Sequence, residues 1–70
     1  MEKINENNIL EYLFDNLYID IEDYYQFNRL CVNLKCNANN LLHTYYKCVD
    51  GELKTCEELA GFVVNSIENN

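Results

Sequence analysis

The sequence predicts a mainly α fold, a small bundle of four short helices, from three observations. Apolar residues recur at three- and four-residue intervals in several separate windows, as the buried stripe of an amphipathic helix requires. Proline is absent and the only glycines are Gly51 and Gly61, so little interrupts a helical backbone. The apolar fraction is 49 %, with six tyrosines and three phenylalanines, enough to build one core. Seventy residues suit one domain, residues 1–70. A domain of that size buries about 60 % of the surface its unfolded chain exposes, so its stability margin is small.

The first helix is expected over 6–17. Ile9, Leu10, Leu13, Phe14 and Leu17 fall on one face, with Glu11, Asp15 and Asn16 opposite, and Asn5, Asn7 and Asn8 are candidate caps. The second is expected over 21–35. "DIED", residues 20–23, supplies a cap and an acidic first turn that suits the positive end of the helix dipole. Tyr24, Phe27, Cys31 and Leu34 then follow at helical spacing. Leu30, Val32, Leu34 and Cys36 also alternate as a strand would. The alternative fold is therefore α+β, with a hairpin at about 28–48 turning at "NANN" between two helices.

The third helix is expected over 39–49. Its "NNLLHTYYKCV" echoes "NNILEYLFDNL" at 7–17, with Leu41, Leu42, Tyr45, Tyr46 and Val49 in the matching positions. Two units are too few for a repeat array. The fourth helix, 55–68, follows the turn signal Asp50-Gly51. "TCEE" reads as a capping box between Thr55 and Glu58, with Leu53 stapling the start. Leu59, Phe62, Val63 and Ile67 form its buried stripe. Gly61 costs about 1 kcal/mol against alanine inside a helix, and so is expected to mark a close helix contact.

Chemistry is sought first in the cysteines. Cys31, Cys36, His43 and Cys48 stand in an order similar to that of the retroviral zinc knuckle, but only the last spacing matches. On one continuous helix Cys31 and Cys36 point about 140° apart, so reduced thiols used as packing are the expectation, with no metal and no cofactor. His43 has no obvious catalytic partner in the sequence, since Ser66 is the only serine and no motif surrounds it. No phosphate loop or zinc-protease motif is present, and no enzymatic activity is expected. "LKTCEELAG" at 53–61 is similar to the first helix of a helix-turn-helix, but nine residues after Gly61 leave no room for a recognition helix.

Charge is more informative. The net charge is −7, distributed as −6 over residues 1–27, +3 over 28–48 and −4 over 49–70. Such a chain repels phosphate, so direct nucleic-acid binding is disfavoured and a protein with a basic surface is the expected partner. Glu11 and Asp15, four apart on one helix, sit at a spacing comparable with successive phosphates of a nucleic-acid strand, as a nucleic-acid mimic requires. Asp20, Glu22 and Asp23 extend the acidic candidate site, and Tyr24 and Tyr25 add aromatic contacts.

Neither a secretory signal nor a membrane-length apolar run is visible, which makes the cytoplasm the expected compartment. Twelve asparagines and abundant Ile, Lys and Tyr reflect A+T-rich coding. Small size, acidity and this composition together resemble, in type, phage-encoded inhibitors of host defence such as anti-CRISPR and anti-restriction proteins. The expected function is therefore non-catalytic inhibition of a larger basic or nucleic-acid-binding protein. A self-associating helical module, a possible homodimer, is the alternative, and a zinc-stabilised domain ranks third.

Overall fold

The computed structural model describes residues 8–46 and 53–69. They form four helices and, among the described residues, no strand: α1 (Ile9–Asp15), α2 (Ile21–Asn33), α3 (Ala38–Tyr46) and α4 (Leu53–Glu68). The bundle expectation holds, and the 28–48 hairpin does not form. α2 runs through the residues that alternate. Asn37, at the start of "NANN", caps α3 instead: its Oδ1 accepts from the backbone N–H groups of Asn39 at 2.9 Å and Asn40 at 3.1 Å. Two orphan donors of the first turn are thereby satisfied, and helix becomes the cheaper state for this segment.

α2 packs most extensively on α4, while α3 bridges α1 and α4. The core is a continuous cluster in which Ile9, Leu10, Leu13, Phe27, Cys31, Leu42, Cys56, Leu59 and Val63 are essentially sealed from solvent. Each helix contributes residues at its predicted apolar spacing. Phe62 joins three helices through its ring, edge-on to Phe27 of α2 at 6.3 Å and stacked on Tyr45 of α3 at 4.5 Å. The Cα radius of gyration is 10.9 Å, matching the roughly 11 Å expected for a compact chain of this length.

Four local expectations are corrected. Leu17 lies 90 % exposed, because α1 stops at Asp15 and Leu17 turns away in the left-handed region at φ 64°. Leu34 is likewise exposed as the C-cap of α2. Thr55 is not an N-cap, since α4 begins two residues earlier at Leu53. Gly61 marks no close contact: a Cβ built there meets nothing within 4 Å. Asn8 occupies the N-cap position of α1 without a side-chain capping bond. The cap comes from elsewhere in the fold, as Asn39 Oδ1 on α3 accepts from Leu10 N–H at 2.8 Å. Asn5, Asn7, Cys48, Val49 and the Asp50-Gly51 turn lie outside the described residues.

Candidate protein-interaction face

Two turns of the same build shape the surface. At the end of α1, Leu17 N–H donates to Phe14 O at 3.1 Å and Tyr18 N–H to Leu13 O at 2.9 Å. At the end of α2, Lys35 N–H donates to Val32 O at 3.0 Å and Cys36 N–H to Cys31 O at 2.9 Å, with Lys35 at φ 58°. Both are Schellman motifs, in which a left-handed residue after the cap lets the chain return its N–H groups to the last carbonyls. Glycine is the usual occupant. Leucine or lysine there costs roughly 1–2 kcal/mol in backbone strain.

The first turn reverses the chain within five residues, Asn16 to Asp20, and so sets the C-terminus of α1 beside the N-terminus of α2. That topology gathers Asp15, Asp20, Glu22 and Asp23 at one corner. Phe14, Leu17, Tyr18, Ile19 and Ile21 line a shallow groove there, and Asp20 and Asp23 form its rim. Glu11 and Asp15 line a separate, more polar depression with Asn8 and Tyr12. Four of the five predicted carboxylates are thus divided between two neighbouring concavities, and Glu22 stands outside both.

Some of these acids also serve the fold. Asp20 Oδ1 accepts from Asp23 N–H at 2.8 Å and Asp23 Oδ2 from Asp20 N–H at 3.4 Å, a reciprocal capping box that starts α2. Glu22 accepts from the Gln26 amide at 2.9 Å one turn on. Asp15 lies instead in the last turn of α1, where the helix dipole disfavours an anion. Tyr24 is half-buried, its ring 5.6 Å from Phe14 across the corner, and Tyr25 is exposed, edge-on to Tyr24 at 5.7 Å.

Sequence periodicity missed one acid of this region, Glu57. Burial, then the neighbouring Cys56, Tyr12 and Glu57, raise the Tyr18 phenol above its ordinary value. Glu57 therefore comes close to the corner from α4, a proximity that follows only from how α4 docks. Burial raises the Cys56 thiol, and a hydrogen bond from Tyr18 opposes that shift.

The cysteine cluster is rearranged. Cys31 and Cys36 do not diverge by 140°, because the helix ends between them and the second Schellman turn folds Cys36 back over Cys31. Burial and the adjacent Cys36 thiol push Cys31 up to about 12. Cys31 is buried and Cys36 exposed, and His43 is half-buried on α3. Among the described residues no three His, Cys, Asp or Glu side chains are grouped as a metal ion needs. A further groove between α3 and α4 is lined by Tyr45, Tyr46, Glu58 and Phe62, and its described lining contains neither cysteine nor histidine. No helix of the described residues is long and apolar enough to cross a membrane.

Comparison with known proteins leaves this site to its own physics: no family model, no curated protein and no solved structure matches the chain.

Proposed function

We propose that this protein is a non-catalytic inhibitor that acts in the cytoplasm by binding a larger protein through the acidic α1–α2 corner. The partner presents a basic, nucleic-acid-binding surface, as the nucleases of bacterial defence do, and the protein belongs functionally with phage or mobile-element anti-defence proteins. The observation that carries this reading is the corner itself. Asp20 and Asp23 rim an apolar groove from which Leu17 projects almost fully into solvent, and Glu11 and Asp15 line a second, polar depression on α1.

Two features of the corner run against stability. Leu17 gains little from burial while holding a left-handed backbone, and Asp15 faces the negative end of α1. Both make sense where a partner supplies the compensating contact. Lys and Arg on the partner would pair with the carboxylates and steer the encounter, and an apolar side chain would enter the groove and slow release. Glu11, Glu22, Tyr24 and Tyr25 border the footprint.

Inhibition assays against purified CRISPR effector nucleases and restriction enzymes test this reading. One of them is expected to be blocked at stoichiometric protein, about tenfold less well when salt rises from about 50 to about 300 mM. The variant Glu11→Gln/Asp15→Asn, which removes no hydrogen bond of the fold, is expected to weaken inhibition at least about tenfold. Inhibition that ignores both salt and these substitutions would remove the acidic corner from consideration.

A further inference from the structure

α2 is apolar on two faces, and only one of them is used by the core. Phe27 and Cys31 point inward. About 110° round the helix from them, Ile21, Tyr25 and Val32 are 48 %, 59 % and 72 % exposed, and Asn28, also exposed, completes their line. Spacings of four, three and four along 21, 25, 28 and 32 form the seam by which two helices pack side by side. Single exposed apolar residues are ordinary; a row in register along one helix is the pattern of an interface.

The charges beside the seam identify what covers it. Glu22 and Arg29 are seven residues apart, two helical turns, and therefore lie on the same flank. A two-fold contact requires a surface that carries its own complement, and this flank does: acid at one end, base at the other. A partner of uniform positive charge would meet Arg29 with repulsion. We propose that the α2 seam is the interface of an antiparallel homodimer, α2 packed on α2 of a second copy.

In that arrangement Ile21 meets Val32 of the second copy, Tyr25 meets Asn28, and Glu22 meets Arg29. Each contact occurs twice by symmetry. In a parallel pair the two Glu22–Arg29 flanks would lie on opposite sides of the seam, Arg29 facing Tyr24 instead of an acid, so only the antiparallel direction forms the two ion pairs. The second Schellman turn extends the match, because it places Lys35 just beyond the seam, opposite Asp20 of the other copy. Asn28 near the centre offers an amide able to hydrogen-bond across the pair and penalises a slipped register. Thirteen residues of α2 span about 20 Å, and two such helices bury on the order of 1,000 Å², the lower edge of specific interfaces. The dimer is accordingly weak and forms in the micromolar range. This inference does not require a basic partner, but the seam shares Ile21 and Asp20 with the acidic groove, so the dimer and such a partner compete for that end of α2.

Sedimentation equilibrium of the full chain from about 5 μM to about 1 mM tests it. The expected result is a monomer–dimer equilibrium that Val32→Asp or Tyr25→Glu weakens at least about tenfold, both variants keeping the helical circular dichroism of the parent. Arg29→Glu is expected to weaken association as well, and Glu22→Arg added to Arg29→Glu to restore it. A chain that stays monomeric throughout would overturn the proposal, as would a dimer indifferent to Val32→Asp or a charge swap without rescue. If the chain is monomeric while Val32→Asp abolishes nuclease inhibition, the seam belongs to a different protein, and the homodimer is equally excluded.

Discussion

The two Schellman turns have the same hydrogen bonds and differ in what stands behind them. After the first, Ile19 is buried and Tyr18 packs half-buried against the core cluster, so the turn is anchored to the interior. After the second, Leu34, Lys35 and Cys36 are all exposed, and only Cys31 beneath belongs to the interior. One motif therefore serves as a rigid corner presenting charge and as a simple link to the next helix. The lesson is that a turn's backbone geometry sets direction, while the side chains on either side decide its stability.

The largest effect separates the two turns through their apolar residues. Ile19→Ala is expected to cost about 2–4 kcal/mol, whereas Leu34→Ala is expected to cost under about 0.5 kcal/mol. Thermal melts of both variants measure the contrast, and equal losses would erase the distinction between the corners.

Next comes pH. Cys31 has a raised folded-state pKa, so the stability it contributes is complete below the unfolded thiol's value and declines as pH rises toward about 12. Denaturant midpoints are expected to fall from about pH 9 upward, and Cys31→Ala, though less stable at neutral pH, is expected to fall less steeply. In the same region iodoacetamide should label Cys36 readily at neutral pH while sparing Cys31 and Cys56, with peptide mass mapping as the readout.

Relief of strain is smaller. Leu17→Gly and Lys35→Gly are each expected to stabilise the fold by about 1 kcal/mol, or roughly 4–8 °C in Tm. The two differ in function: only Leu17→Gly should reduce inhibition of a nuclease, since only that side chain stands in the acidic groove. Smallest of all, Asp15→Asn should stabilise by a few tenths of a kcal/mol while weakening inhibition. A loss of both stability and inhibition would assign Asp15 to the fold instead.

Helical periodicity was legible because it is a property of neighbouring residues. The acidic first turn of α2 could be read from "DIED", and the buried stripe of α4 from Leu59, Phe62, Val63 and Ile67. Helix ends were harder. A left-handed leucine at position 17 has no composition signal, so the apolar spacing carried it into the helix. Thr55 satisfied the capping-box pattern, yet α4 begins at Leu53 instead. Of the candidate site, the carboxylates near residues 15–23 were visible as a charge run. Glu57, the groove under Leu17 and the exposed seam of α2 were not.

Local sequence, then, determined that this chain is helical, which face of each helix is apolar, and that its N-terminal third is acidic. Those properties arise from interactions across three or four residues, which a linear pattern records. Only the tertiary structure decided that Asn39 caps α1, that Cys36 folds over Cys31, and which of α2's two apolar faces remains outside. Each of these depends on contacts between residues far apart in the chain, or on a single left-handed residue that redirects everything after it.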